Sequence, residues 1–352
     1  VTLMAGSALT RRGLIAVCGV GALSCALDHP LLAQAAKPGR TRRGAPDAID
    51  IHYHVETAAV ERLPKTRANA RGADAIPRWN ADMALTQMDR QGIAASVVTT
   101  RVIGVKAPDS EADVRSFVRA CNLDGAAIVR ANPKRFRYFA YMPMPFVQAT
   151  IEEIGYALDT LGADGVYFNT SYNGKWLGHP DFTPIMAELN RRNAIVYTHP
   201  SGATCCGGAT VPNLTPQIIE YGTDTTRCIA DLIFSGTADR FSNIRFIFSH
   251  AGGTAPFLFE RLEREGRERK DLPGGAAAPF KRFFFDTAQS ANPYALGTLA
   301  RLVPSTQILY GSDYPWRDPL EQLHAIDAMK LGPSLTAAIR HGNAQRLIAA
   351  LR

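Results

Sequence analysis

From residue 47 onward the chain alternates two hydrophobic patterns. Short, nearly continuous apolar runs stand at Ala48–His54, Ala94–Thr100, Arg137–Met142, Gly165–Asn169, Ala194–His199, Ile244–His250, Phe283–Thr287 and Gln307–Tyr310. Runs without in-out alternation are expected of strands covered on both faces, as in a parallel sheet. Between them, apolar residues recur at helical spacing. Asn80–Arg90 carries Met83, Leu85 and Met88 and stops at Gly92, and Glu111–Arg130 carries Val114, Phe117, Val118 and Cys121. Further helices are predicted over Thr150–Leu161, Pro180–Arg192 with an Asp181 cap, Pro216–Ala238, Ala255–Glu268, Pro293–Leu302 and Pro319–Met329, followed by two C-terminal helices. Eight strand–helix units in roughly 300 residues are the arithmetic of an α/β TIM barrel, a (β/α)8 fold, which needs ~250. The alternative is an open doubly wound sheet. The barrel is preferred because polar residues collect where the strands end.

Composition narrows the classes. The 352 residues are 46% hydrophobic and 20% charged, which excludes a disordered chain and a multispan membrane protein. The net charge of +7 comes from scattered basic residues, with one cluster at Arg40, Arg42 and Arg43. No stretch interleaves basic and aromatic side chains, so no nucleic-acid partner is expected. The six cysteines form no Cys-x-x-Cys pattern.

Residues 1–36 differ from the rest. Arg11-Arg12, an apolar run to Leu27 and the small-x-small site Ala33-Gln34-Ala35 read as a twin-arginine (Tat-type) signal peptide. The apolar run is too short for a span of ~20 residues, so no stable membrane span is expected after signal removal. Residues 37–46 then form a linker and 47–352 the barrel domain, and the expected location is the periplasm. Cleavage after Ala35 would leave Cys121, Cys205, Cys206 and Cys228, too few for a disulfide scaffold. Cys205-Cys206 reads as two thiols in a glycine-rich loop, with a strained vicinal disulfide as the alternative.

In a barrel, chemistry gathers at the C-terminal strand ends. The first run ends Asp50-Ile51-His52-Tyr53-His54, the fifth Tyr197-Thr198-His199-Pro200, and the sixth Phe248-Ser249-His250-Ala251-Gly252-Gly253. The eighth continues into Tyr310-Gly311-Ser312-Asp313-Tyr314-Pro315-Trp316. Alternation puts His52 and His54 on one face. A His-x-His pair, one further histidine and one aspartate make a nitrogen/oxygen site for Zn²⁺ or a similar divalent ion. Four of the chain's eight histidines stand at these points.

These motifs, with the terminal Gly342-Asn343-Ala344-Gln345-Arg346-Leu347, resemble the amidohydrolase superfamily. More narrowly, the chain from about residue 47 to its end resembles the branch of aminocarboxymuconate-semialdehyde, resorcylate and 6-methylsalicylate decarboxylases. The resemblance implies one divalent metal on His52, His54, His199 and Asp313, with His250 beside it as acid/base. Binuclear relatives bridge two metals with a modified lysine on strand four. That strand here ends Tyr167-Phe168-Asn169-Thr170, which favours a single ion. Zn²⁺ is the first expectation, and Mn²⁺ also suits a His₃Asp set. The implied activity is non-oxidative decarboxylation of a small aromatic or related unsaturated carboxylic acid. His250 and Asp313 would handle the proton. The alternative is a mononuclear hydrolase of an ester, lactone or amide, using a metal-activated water. Arg78, Arg101 and Trp316 are the expected substrate contacts, with Tyr314 as a further ring. The partner is a small carboxylic acid, and relatives suggest a homo-oligomer.

Overall fold

The computed structural model describes residues 46–64, 79–102, 106–201, 211 and 213–351. The leader, the linker up to residue 45, Arg78 and Cys205-Cys206 lie outside them. All eight predicted strands form. They are β1 (Ala48–Val55), β2 (Ile93–Thr100), β3 (Phe136–Tyr141), β4 (Gly165–Asn169), β5 (Ile195–His199), β6 (Arg245–Phe248), β7 (Phe284–Asp286) and β8 (Ile308–Leu309). They pair in chain order and in parallel.

The edges β1 and β8 meet through backbone bonds. Ile51 N–H donates to Tyr310 O (3.1 Å), Asp313 N–H to His52 O (3.0 Å) and His54 N–H to Tyr314 O (2.9 Å). The buried Asp50 carboxylate also bonds across this seam, accepting the Ser312 backbone N–H at 3.0 Å and the Ser312 hydroxyl. Burial pushes Asp50 up to about 7, even though these bonds favour its ionised form.

Two apolar clusters hold the barrel. The inner one takes alternate residues of successive strands, including Ile49, Ile51, Val97, Phe139, Tyr197, Ile247 and Leu309, with Leu347 and Ile348 of the C-terminus packed against them. The outer one packs strand residues such as Tyr53, Val98, Val166 and Phe248 against the helices. Strand β1 crosses between the two patterns. Its register shifts between Asp50 and Tyr53, so Ile51 and His52 both serve the interior and Tyr53 turns out. A bulge of this kind re-aims side chains at a barrel rim.

Helix ends follow local chemistry. The Asn80 side chain accepts the Met83 N–H at 2.8 Å, and Gly92, at φ 77°, closes helix Ala81–Gln91. Ser110 caps Glu111–Ala131 by accepting from Asp113 N–H. The Asp181 cap does not form. His179 Nδ1 accepts the Asp181 N–H at 3.2 Å, and a 3₁₀ turn Pro180–Phe182 precedes helix Thr183–Arg191. Pro180 has a preset φ and no N–H, so the turn begins one residue earlier than the carboxylate. The predicted Pro216–Ala238 helix ends at Phe234, because Gly236 takes φ 70° and a separate short helix Thr237–Arg240 follows. Thr150–Leu161 begins earlier, at Val147, and its last turn widens to a π-helix over Tyr156–Thr160.

Besides the short helix Ala58–Glu61, two elements lie outside the predicted pattern. One is the hairpin of Ser171–Tyr172 with Lys175–Trp176, turned by Asn173-Gly174 at φ 50° and 77°. Asn-Gly is the residue pair that such a two-residue turn requires. The other is the helix Ala277–Arg282 before β7. Cys121 and Cys228 are buried free thiols. No described helix is long and apolar enough to cross a membrane.

Gly165 opens β4 where the backbone of β5 comes close. A Cβ there would lie 2.6 Å from Ile195 O and 2.9 Å from Ile195 Cβ. Gly165→Ala is therefore expected to destabilise the barrel by about 1–3 kcal/mol, the usual cost of overpacking. A thermal melt at fixed pH checks it, and an unchanged midpoint would show that the two strands can part.

Candidate metal centre

The side chains of His52, His54, His199 and Asp313 converge above the inner cluster. One ligand atom from each lies within 4.8 Å of every other, and all four residues are buried. Nε2 of His52 and Nε2 of His54 are 3.1 Å apart. Asp313 Oδ1 is 3.2 Å from the first and 3.3 Å from the second.

Each imidazole is oriented from behind. His52 Nδ1 bonds Asp286 Oδ2 at 2.8 Å, His54 Nδ1 is 3.0 Å from the Thr99 hydroxyl, and His199 Nδ1 donates to Pro200 O at 2.8 Å. With Nδ1 engaged, Nε2 is the atom left to face the centre. Asp313 Oδ2 accepts from the Gln289 amide, whereas Oδ1 is buried without a hydrogen-bond partner. An orphaned carboxylate oxygen beside two converging imidazole nitrogens is the donor set a divalent cation fits.

Electrostatics agree. Burial disfavours charge on His52, but the Asp286 and Asp313 carboxylates outweigh it and raise His52 to about 10. Burial lowers His54 and His250, and burial plus the neighbouring imidazoles takes His199 well below its ordinary value. Burial opposes ionisation of Asp313 too, yet the adjacent His52 and His54 hold it well below the carboxylate range. The two carboxylates thus favour the cationic form of His52 over that of the other imidazoles.

His250 stands beside this group, its ring 5.0 Å from that of His52 and 5.3 Å from that of His199. It is not on a strand. β6 stops at Phe248, and His250 opens a 3₁₀ turn at φ 53°. Nδ1 of His250 donates to Ala288 O at 3.2 Å, which leaves Nε2 free. Asp313 likewise lies beyond β8, in a loop at φ 69°. Gln289 (φ 53°) and Ala251 (φ 54°) share this left-handed conformation. For residues other than glycine it costs roughly 1–2 kcal/mol each, strain that concentrates at functional sites.

The expected substrate contacts fare unequally. Arg101 ends up 9% exposed, its guanidinium 2.8 Å from Glu56 and 5.5 Å from the Trp316 ring centre. It is thus a paired cation rather than a free fork. Trp316 is 37% exposed beside it. Tyr314 does not offer a ring to a ligand. It stacks on Tyr53 at 4.3 Å, and its hydroxyl donates to Gln87. Sequence reasoning missed Asp286 and Gln289, which bind His52 and Asp313 from behind, and Tyr197, whose hydroxyl donates to Asp286. A polar Asp286-Thr287 at the end of an otherwise phenylalanine-rich strand was the available signal.

A family model described as amidohydrolase matches residues 49–349. The chain is 36% identical over 286 residues to a 6-methylsalicylic acid decarboxylase of Aspergillus aculeatus, covering 76% of this chain and 84% of that one. It is 33% identical over 284 residues to the 6-methylsalicylic acid decarboxylase of Penicillium expansum, covering 76% and 84%. Among solved structures, a 5-carboxyvanillate decarboxylase of Novosphingobium aromaticivorans, complexed with manganese and 4-hydroxy-3-methoxy-5-nitrobenzoic acid, superposes with a TM-score of 0.77. It shows 17% identity over 86% of this chain and 96% of that one.

Because the Asp286 and Asp313 carboxylates favour the protonated form of His52, a cation binding there competes with that proton. Titration with a divalent ion near pH 7.5, repeated in buffers of different ionisation enthalpy, is expected to show about one proton released per ion. The sign follows from the raised His52: affinity falls as pH drops below about 10, because the proton competes with the metal. Asp313→Asn removes the anionic ligand and is expected to weaken binding at least tenfold. Equal binding by this variant would take Asp313 out of the site.

Proposed function

We propose, for a chain that belongs to the amidohydrolase family in the branch of the 6-methylsalicylate, aminocarboxymuconate-semialdehyde and resorcylate decarboxylases, that it is a metal-dependent, non-oxidative decarboxylase of a small aromatic carboxylic acid. The observation that carries this reading is the buried His₃Asp cluster, standing in a chain 36% identical to a 6-methylsalicylic acid decarboxylase. A 2-hydroxybenzoate such as 6-methylsalicylate is the substrate this likeness supports.

His52, His54, His199 and Asp313 would hold the ion. When bound, it supplies a Lewis-acidic anchor for the carboxylate and the neighbouring phenolic oxygen and stabilises the negative charge that develops there. The protein's own groups handle the proton. Cleavage of the ring–carboxyl bond leaves its electron pair on the ring carbon, where a proton must replace CO₂. His250 is the donor: its Nδ1 is fixed on Ala288 O, and Nε2 carries the exchangeable proton. Burial lowers its proton affinity, which makes the imidazolium a stronger acid toward carbon. Asp313, held by Gln289, is the second proton-handling group. Trp316 lines the approach and offers its ring to the substrate, with Arg101, paired to Glu56, beside it.

The relative crystallised with manganese supports that ion for this cluster, and the three-histidine set also suits zinc. For residues 1–36, the paired arginines, apolar run and Ala33-Gln34-Ala35 support Tat-dependent export to the periplasm. Cell fractionation tests that location, and protein confined to the cytosol would count against it.

The purified, metal-loaded protein is expected to release CO₂ from 6-methylsalicylate or a related hydroxybenzoate, and a chelator should stop it. His250→Ala should lower kcat by roughly 10²–10⁴ while metal content stays unchanged. Ester cleavage with no CO₂ from any hydroxybenzoate or muconate semialdehyde would replace this reading by a hydrolase.

A further inference from the structure

Asp286 is fully buried at the C-terminal end of β7, and each of its carboxylate oxygens accepts two hydrogen bonds. Oδ2 takes the His52 Nδ1–H at 2.8 Å and the Tyr197 hydroxyl at 3.0 Å. Oδ1 takes the backbone N–H of His250 at 2.9 Å and of Ala288 at 3.0 Å. One side chain thus reaches the strand-one ligand on one side. On the other it reaches the segment that carries the proton donor. The same Ala288 also binds His250 Nδ1 through its carbonyl.

We propose that Asp286 is the positioning residue that fixes the metal ligand and the proton donor together. It holds hydrogen on His52 Nδ1, so that Nε2 is the nitrogen offered to a cation once the competing proton has left, and it pins the left-handed turn that aims His250. The inference rests on the decarboxylase reading for the role of His250, but its claim about His52 does not.

The surrounding backbone is shaped for this contact. Gly311 passes so close that a Cβ would lie 2.8 Å from His52 Cβ and 3.0 Å from Asp286 Cβ. A carboxylate is also the group the geometry demands, since all four bonds come from donors and only an ionised acid accepts on both oxygens. An amide of the same shape fails on one side. With its oxygen toward His52 and Tyr197, its NH₂ opposes the N–H groups of His250 and Ala288. Flipped, its NH₂ faces His52 Nδ1 and forces that ring to carry hydrogen on Nε2, where the cation must bind.

The test is Asp286→Asn, with Tyr197→Phe as a milder variant that removes only one of the four donors. Metal affinity is read by chelator competition, with Mn²⁺ and Zn²⁺ tested separately, and kcat is read on the metal-saturated protein. Circular dichroism and melting temperature report folding. Asp286→Asn is expected to weaken metal binding about 10–100-fold, the usual cost of losing such a partner, or to lower kcat at least tenfold at saturating metal. Tyr197→Phe should weaken metal binding in the same direction but by less than tenfold. A lower melting temperature with wild-type metal affinity and wild-type kcat in the folded protein would mean that Asp286 only stabilises the barrel, and the proposal would be wrong. If Asp286→Asn fails to fold, Tyr197→Phe decides alone: unchanged metal affinity overturns the proposal and a measurable loss upholds it. Wild-type protein that binds metal but releases no CO₂ would sink the decarboxylase reading and leave the tautomer claim standing.

Discussion

The centre depends on crowding that the chain alone would not tolerate. Two imidazole nitrogens and a carboxylate oxygen lie within 3.1–3.3 Å of one another, sealed from water. Converging lone pairs repel, and in a low-dielectric interior the repulsion is poorly screened. A cation relieves it, whether one shared proton or a metal ion. The barrel enforces the approach, because its eight strands are locked in register and the loops bearing Asp313 and His250 are held in left-handed backbone that open chain would leave.

That enforcement is layered. Closure of β1 on β8 sets the distance between the His-x-His pair and Asp313, and the Asp50–Ser312 contact reinforces it from behind. The bulge in β1 lets Ile51 fill the barrel interior while both histidines still aim at the rim. Asp286 then joins four segments, since its partners belong to β1, β5 and the turns after β6 and β7. Rigidity of this kind is what a proton transfer to carbon needs, since small displacements of donor and acceptor cost rate steeply.

The strands were legible because both their faces are covered, which writes an unbroken apolar run into the sequence. Gly92 was legible as a helix boundary because capping is local chemistry. Asp181 misled for the reciprocal reason: a neighbouring proline changed which residue the local turn selects. The hairpin at Asn173-Gly174 was written just as locally but is too short to stand out by hydrophobic pattern.

The sequence by itself determined the barrel, the metal-ligand residue types and their places at strand ends, because periodicity and residue chemistry are properties of short segments. Only the tertiary structure decided which partners sit behind them. Asp286 reaches His52 across 234 positions, Arg101 is tied to Glu56 rather than left for a ligand, and Tyr314 belongs to Tyr53. Such pairings arise where strand register and ring closure bring distant segments together, and a carboxylate looks the same in a one-dimensional string whether it binds an ion, braces a ligand or seals a seam.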